Sequence, residues 1–298
     1  MKFTKMHGAG NDYIFVDGTE INEDWSKIAT LVSDRHFGVG SDGLIVAVKS
    51  DIADVRMRMW NADGSESEMC GNGIRCFAKF VVDNHLVSKA SRSILVETGA
   101  GILPVTLIEK NGEIIRASVE MGVPSLASSG IPIIQTNLGS NDYYFLNEPL
   151  IDKLSLNPQD LVFDANLTLG GQHFKLTGVS TGNPHVTCFL DTPIEAFALE
   201  QIGPLVENHE AFPNRVNFHI VNILNRGHIR SRTWERGSGQ TLACATGATA
   251  MVVAARLHDF VDASVVVEVP GGELVVEWDG FGSATMEGPI AEVFSGVF

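Results

Sequence analysis

The sequence contains few cysteines and no cluster of basic residues. Its 298 residues include four cysteines, and 21 basic against 36 acidic side chains give a formal net charge of −15. Four cysteines in a chain of this length do not form a disulfide framework, so we expect a reducing, cytoplasmic compartment. The acidic balance, without any basic run, argues against a nucleic acid or an anionic membrane surface as a partner.

Long apolar segments and metal-ligand patterns are also absent from the sequence. The most apolar stretch, residues 242–257, is interrupted by threonines and falls short of a membrane span. The first residues lack the apolar core of a signal peptide. The histidines show no metal-ligand spacing, and no Cys-x-x-Cys motif is present. We therefore expect a soluble globular protein that binds no metal.

What the sequence does contain is an internal repeat. Four short motifs recur in the same order in its two halves. The pairs are residues 10–17 and 182–191, 63–65 and 236–238, 97–103 and 268–274, and 121–124 and 286–289. A repeated unit of about 130 to 150 residues matches the usual size of a domain. The sequence therefore predicts two related halves.

Each half contains a cysteine just before a predicted helix. Cys70 and Cys244 are each followed, three residues later, by a glycine. The dipole and free N–H groups of a helix N-terminus lower the pKa of a thiol. A thiol and a thiolate on opposite faces of one α-carbon would remove a proton from one side and deliver a proton to the other. The matched cysteines therefore predict a two-base racemase or epimerase.

The remaining polar candidates carry less weight individually. A free cysteine is usually a small buried hydrophobic residue, and we interpret Cys76 and Cys188 in this way. An isolated asparagine is more often a turn residue, but Asn11 and Asn183 occupy equivalent positions of the repeat. Arg236 could hold a carboxylate through two hydrogen bonds, although a lone arginine belongs as often to a surface ion pair.

Alternating and β-branched segments predict a strand-rich α/β (α+β) fold. Two helices stand out by their apolar spacing, over residues 74–82 and 248–257. We expect each half to be a curved, barrel-like, mostly antiparallel sheet around one central helix. Residues 125–170, rich in Ser, Asn, Gly and Pro, have no counterpart in the first half, and we interpret them as a connection with an insertion. The predicted strands cover residues 13–16, 44–48, 55–60, 94–97, 105–108, 115–119, 186–190, 217–224, 228–234, 265–269, 274–278 and 284–287.

Several motifs together resemble those of the diaminopimelate epimerase family. The resemblance implies an isomerase that needs no cofactor and interconverts LL- and meso-2,6-diaminopimelate, for lysine and peptidoglycan precursors, typically as a homodimer. It also implies two pseudo-symmetric domains, residues 1–126 with a returning strand at about 288–298, and residues 127–287. The motifs are residues 6–12, 61–65, 69–76, 182–185, 215–217 and 234–239.

The resemblance also assigns roles to individual residues. It makes Cys70 the proton donor and Cys244 the proton acceptor, with His185 and Glu235 supporting catalysis. The asparagines and Arg236 would recognise the distal, unreacting centre of diaminopimelate and so exclude simpler amino acids. Its substrate-binding positions are Asn11, Asn61, Gly71, Asn72, Asn183, Asn217, Glu235, Arg236, Ala245 and Thr246.

Two departures from the family pattern and several alternative functions remain open at this point. Ala245 stands where many members have glycine, and Gly43 where some have glutamine. Proline racemase-type enzymes favour a histidine near the first cysteine, where this chain has Asn72, and Ser-Pro-Cys at the second. Phenazine-biosynthesis-like isomerases share the fold but lack the thiol pair. A thiol redox protein, a metal-binding protein and a non-catalytic small-molecule binder are the alternatives from other classes.

Overall fold

The computed structural model describes residues 1–88 and 92–298, which form eighteen strands and five α-helices. The strands are β1 (Lys2–Gly8), β2 (Asn11–Asp17), β3 (Gly43–Val48), β4 (Val55–Asn61), β5 (Glu66–Ser67), β6 (Ser93–Thr98), β7 (Gly101–Lys110), β8 (Glu113–Gly122), β9 (Ala165–Leu169), β10 (Gln172–Ser180), β11 (Pro184–Phe189), β12 (Asn217–Asn225), β13 (His228–Glu235), β14 (Gly239–Thr241), β15 (Ser264–Val269), β16 (Gly272–Glu277), β17 (Ala284–Pro289) and β18 (Ala291–Val297). The helices are α1 (Trp25–Ser33), α2 (Gly71–Asp83), α3 (Glu148–Lys153), α4 (Leu199–Glu207) and α5 (Ala245–Leu257). Short 3-10 helices cover Ser128–Gly130, Gln135–Asn137, Pro158–Asp160 and Ile194–Ala196.

The chain forms two compact units. The first comprises Met1–Glu120 together with Glu287–Phe298, and the second comprises Met121–Met286. Within the described part of the chain, no helix is long and apolar enough to cross a membrane.

The first unit is a mostly antiparallel sheet with two parallel pairings. Its strands follow the order β18, β1, β2, β3, β4, β6, β7, β8, and the short β5 pairs with β4. The parallel pairs are β2 with β3 and β4 with β6. Parallel neighbours need a crossover connection, and here the two crossovers contain α1 and α2.

The second unit repeats this arrangement. Its strands follow the order β9, β10, β11, β12, β13, β15, β16, with the short β14 beside β13. The parallel pairs are β11 with β12 and β13 with β15, and their crossovers contain α4 and α5. The two pseudo-symmetric halves predicted from the sequence motifs are therefore confirmed.

Each unit encloses one central helix. In α2 every residue from Gly71 to Val82 is buried, and α5 is buried except at Thr246 and Arg256. Both helices were predicted from their apolar spacing, and each begins three residues earlier than predicted. Cys70 and Cys244 occupy the N-cap positions of these two helices. The fold thus brings the two cysteines to equivalent places in the two units.

Residues 125–170, predicted to be a connection with an insertion, lie within the second unit and contribute residues to its core. Ile131 and Val162 lie in one apolar cluster with Leu176. Leu150 and Phe163 lie in a second cluster that includes residues of α5. Apart from the short α3 and β9, the backbone of this segment is irregular or forms turns and short 3-10 helices, so its apolar residues follow no regular period. Pattern analysis therefore has no signal to detect here.

Candidate functional site

Cys70 lies at the start of α2 within a small group of polar side chains. Its Sγ accepts a hydrogen bond from the backbone N–H of Gly73 at 3.4 Å, which is the capping interaction of the helix. The Tyr13 hydroxyl donates to the same sulfur at 3.4 Å, and the thiol donates to Asn11 Oδ1 at 3.3 Å. The thiol is partly exposed. Cys70 therefore caps its helix, and its thiol is held in place by hydrogen bonds and is partly accessible.

The side-chain amide of Asn11 is fixed in one orientation. Its Nδ2 donates to Asp42 Oδ2 at 2.7 Å, which leaves Oδ1 to accept from Cys70 and from Asn72 Nδ2, both at 3.3 Å. Arg35 holds Asp42 in place at 2.8 Å. A carboxylate can only accept hydrogen bonds when it is ionised. Asp42 therefore turns the carbonyl oxygen of Asn11 toward the thiol.

Asn72 is fixed by an arginine that sequence analysis did not identify. Arg75 is fully buried and donates to the Gly71 carbonyl at 3.0 Å and to Asn72 Oδ1 at 2.9 Å. Burial lowers the pKa of Arg75 to about 10, so it remains charged at neutral pH. Its position within an apolar helix was the available sequence signal, because an arginine on a buried face requires a local partner.

Asn61 does not join this hydrogen-bonded group in the part of the chain that the structure describes. It ends β4, is exposed, and donates from Nδ2 to Ser65 Oγ at 3.0 Å.

Gly43, the position where some family members carry glutamine, has no room for a side chain. A Cβ there would lie 2.2 Å from the carbonyl oxygen of Trp60.

Cys244, at the start of α5, has a more enclosed environment than Cys70. It is 4% exposed, and its thiol donates to Glu235 Oε2 at 2.9 Å. Burial, followed by the negative charge and hydrogen bond of Glu235, raises the pKa of Cys244 well above its ordinary value. The net pKa of Cys244 therefore lies above its ordinary value, although the residue occupies the N-cap position of a helix. The hydrogen bond from Gly247 acts in the expected direction, but burial and Glu235 outweigh it.

Asn183 and His185 lie beside the start of α5. Asn183 Nδ2 donates to Thr246 Oγ1 at 3.5 Å, and Asn183 Oδ1 lies 2.8 Å from His185 Nε2. His185 is fully buried, and its Nδ1 lies 2.9 Å from Nε2 of His219. Burial, reinforced by His219 and Arg236, holds the pKa of His185 well below its ordinary value. Both ring nitrogens of His185 are thus engaged within the protein.

Asn217 begins β12, Glu235 ends β13 and Arg236 follows directly, and a hydrogen bond joins the Asn217 side chain to the Arg236 backbone. Asn217 Nδ2 donates to the Pro184 carbonyl at 3.0 Å, and its Oδ1 accepts from the Arg236 N–H at 2.9 Å. Glu207, which sequence analysis missed, accepts from Trp234 Nε1 at 2.7 Å and from the Gly237 N–H at 2.9 Å. Glu207 therefore holds both sides of the dipeptide that carries the two charged candidates.

Gly71 and Ala245 are the first residues of their helices, where backbone N–H groups have no acceptor within the helix itself. Such groups bind anions. Ala245 is not among the residues with positive φ, so its methyl group causes no backbone strain.

The buried state predicted for Cys76 and Cys188 is confirmed, and burial raises the pKa of each to about 12. No group of three or more His, Cys, Asp and Glu side chains among the described residues is arranged to hold a metal ion.

The fold is shared with solved structures of low sequence identity. A phenazine biosynthesis protein of the PhzF family from Bacillus anthracis superposes with a TM-score of 0.68 at 18% identity, covering 99% of this chain and 98% of that one. A hydroxyproline epimerase from Agrobacterium vitis superposes with a TM-score of 0.61 at 14% identity, covering 99% of this chain and 90% of that one. The fold is therefore the one shared by the PhzF-family and proline racemase-like proteins.

Sequence comparison identifies the family within this class. The family model for diaminopimelate epimerase matches residues 3–127 and 177–293. The diaminopimelate epimerase of Agathobacter rectalis is 45% identical over 99% of this chain and 98% of its own length. The chain belongs to the diaminopimelate epimerase family, and it is an isomerase. The family model does not match residues 128–176, where most of the segment without a counterpart in the first half lies.

Proposed function

We propose that the protein interconverts LL- and meso-2,6-diaminopimelate by moving a proton at one α-carbon, without a cofactor. The observation that carries this proposal is the pair of cysteines at equivalent helix starts, each hydrogen-bonded to a polar side chain that orients it. Membership of the family supplies the substrate. In the proposed domain division, residues 1–126 with about 288–298 form one epimerase half and residues 127–287 form the other.

The proposed mechanism uses one thiol at each face of the α-carbon. Cys70 serves as the proton donor and Cys244 as the proton acceptor. Because Cys244 carries its proton at rest, that proton first passes to Glu235, whose Oε2 lies 2.9 Å from Sγ. The resulting thiolate removes the α-proton while the Cys70 thiol delivers a proton to the opposite face. The product is the inverted centre, with Cys244 protonated and Cys70 as the thiolate.

The negative charge that develops on the α-carboxylate needs stabilisation during this transfer. The N–H groups of Gly71, Asn72, Ala245 and Thr246 at the helix starts suit this role, because helix N-termini favour negative charge. Asn11, Asn61, Asn183, Asn217, Glu235 and Arg236 are the remaining proposed substrate contacts. His185 supports catalysis through Asn183, which it contacts directly.

The proposed setting of the reaction is lysine and peptidoglycan precursor biosynthesis. We infer a cytoplasmic location from the acidic composition and the few cysteines. We also infer a homodimer, the assembly that the family resemblance implies. Equilibrium sedimentation of the purified protein tests the homodimer directly.

Hydrogen–deuterium exchange tests the function and the mechanism together. LL-diaminopimelate is incubated in D₂O with the wild type, Cys70→Ser, Cys244→Ser and the control Cys188→Ala, whose thiol is buried in an apolar cluster of the second unit. We expect inversion with deuterium at the α-carbon for the wild type and the control, and loss of inversion in both serine variants. Inversion that persists in either serine variant contradicts the two-base mechanism. Exchange at proline but not at diaminopimelate contradicts the proposed substrate.

A further inference from the structure

A buried row of hydrogen bonds leads away from Asn183 into the second unit. Asn183 Oδ1 lies 2.8 Å from His185 Nε2, His185 Nδ1 lies 2.9 Å from His219 Nε2, and His219 Nδ1 lies 2.9 Å from Thr233 Oγ1. The two histidines are fully buried and Thr233 is 3% exposed. The four side chains come from the start of β11 and from strands β12 and β13. None of the roles assigned above uses His219 or Thr233.

The direction of this row follows from the amide of Asn183. Asn183 Oδ1 is an acceptor, so His185 Nε2 must carry a hydrogen. Burial lowers the pKa of His219 to about 3, so both imidazoles are neutral and each has one donor and one acceptor nitrogen. His185 Nδ1 therefore accepts from His219 Nε2. His219 Nδ1 in turn accepts from the hydroxyl of Thr233, which can rotate to donate.

We propose that His219 and Thr233 are positioning residues that fix the tautomer of His185 and, through it, the orientation of the Asn183 amide. This proposal rests on the proposed function. With Oδ1 held inward, Asn183 presents its NH₂ group toward Thr246 at the start of α5. A substrate group that accepts hydrogen bonds, such as a carboxylate, is therefore bound there in preference to an ammonium group.

The first unit fixes its equivalent asparagine in the opposite sense. Asp42 accepts from Asn11 Nδ2 and leaves the carbonyl oxygen of Asn11 to face Cys70. Tyr13, at the repeat position of His185, donates its hydroxyl to the thiol and also forms a side-chain hydrogen bond with Asn11. One asparagine therefore presents an acceptor and the other presents a donor. This difference is what an asymmetric pair of substrate groups requires.

The tautomers of the two histidines are measured by NMR on protein labelled with ¹⁵N-histidine, with signals assigned through His185→Gln and His219→Gln. We expect His185 and His219 both to be neutral and protonated at Nε2. In Thr233→Val the donor at the end of the row is lost, and the His219 signals should shift toward a mixture of tautomers. Protonation at Nδ1 in the wild type means that the row runs in the opposite direction and overturns the proposal.

Kinetics on diaminopimelate provide the second measurement, with Thr187→Val as the matched control. Thr187 is a buried threonine two residues after His185 on β11, and its hydroxyl has no hydrogen-bond partner in the described part of the chain. We expect Thr233→Val to raise KM about fivefold to tenfold with a smaller change in kcat, and Thr187→Val to change neither. His219→Leu should raise KM further, and His219→Gln should recover part of the loss.

Equal KM values in Thr233→Val and Thr187→Val, with normal folding of both, overturn the positioning role. Absence of diaminopimelate turnover by the wild type is a separate result, which contradicts the proposed function. In that case the NMR tautomers still decide whether the row runs from Thr233 to Asn183.

Discussion

The glycines that follow the two cysteines should differ in their tolerance of a methyl group. A Cβ at Gly247 would lie 2.4 Å from His219 Cε1 and 3.1 Å from Cys244 Sγ. A Cβ at Gly73 would lie 2.7 Å from Ile45 Cδ1 and 3.4 Å from the Cβ of Cys70. The atom nearest to the added Cβ therefore belongs to a hydrogen-bonded ring at Gly247 and to the end of an aliphatic side chain at Gly73.

These contacts set the size of the expected effects. Both glycines lie in helices, where replacement by alanine gains about 1 kcal/mol from helix propensity. At Gly247 the His219 ring must move by about 1 Å to reach ordinary contact. This movement disturbs two buried hydrogen bonds, which contribute about 1 kcal/mol each. Overpacking costs about 1–3 kcal/mol more. At Gly73 a change of the Ile45 rotamer costs about 0.5–1.5 kcal/mol. We therefore expect Gly247→Ala to lower the free energy of unfolding by about 2–4 kcal/mol and Gly73→Ala to leave it nearly unchanged.

Urea denaturation of the wild type and both variants measures the free energies of unfolding, and the epimerase assay measures kcat and KM in parallel. Gly247→Ala should also lower activity more than Gly73→Ala, because its methyl group touches both His219 and the thiol of Cys244. Equal destabilisation of the two variants, or a larger effect at Gly73, would show that the end of the buried Ile45 side chain yields no more easily than the hydrogen-bonded His219 ring.

Three further perturbations follow from the site and from the buried histidines. Glu235→Gln removes the negative charge beside Cys244, so the pKa of that thiol should fall. Alkylation of Cys244 by a small reagent, followed by mass spectrometry, should then begin at lower pH, and kcat should fall by about 100-fold or more. An unchanged alkylation profile contradicts the assignment of Glu235 as the partner of Cys244. Asp42→Asn should raise KM about tenfold because Asn11 loses its orienting carboxylate, whereas Asp34→Asn, a nearby change that does not contact Asn11, should not. Burial lowers the pKa of His219 and of His258 to about 3, so the unfolded chain binds more protons than the folded protein between about pH 6.5 and pH 3. Stability to urea should therefore fall as the pH falls through this window, although Asp164, whose pKa burial raises to about 6, opposes part of the slope. His258→Gln should reduce the slope by up to about 1.4 kcal/mol per pH unit, and an unchanged slope would show that His258 does not titrate in this window.

The elements carrying the two cysteines were predictable because their signals are local. The apolar spacing of residues 74–82 and 248–257 identified α2 and α5, and the repeated motifs identified the related halves. Strands β1 and β10 and helices α1 and α4 were not predicted. In β10 most residues from Phe174 onward are buried, so the strand lacks a simple polar alternation, and α4 contains a glycine and a proline that obscure its period.

The supporting residues of the site could not be predicted because their role depends on neighbours distant in sequence. His219 lies 34 residues from its partner His185, and Glu207 lies 27 residues from Trp234. Nothing in the local sequence marks either residue as a partner of a site residue. The high pKa of Cys244 has the same origin, because the helix start is visible in the sequence while the degree of burial and the approach of Glu235 are set by tertiary packing.

The pairing of β1 with β18 has a consequence for the order in which the protein is made. In the first unit, β1 is hydrogen-bonded to β2 on one side and to β18 on the other. During synthesis, β1 remains an unprotected sheet edge until β18 has left the ribosome. The residues of the second unit are one continuous stretch and are all synthesised before β18. The unit that the ribosome begins first is therefore the one completed last.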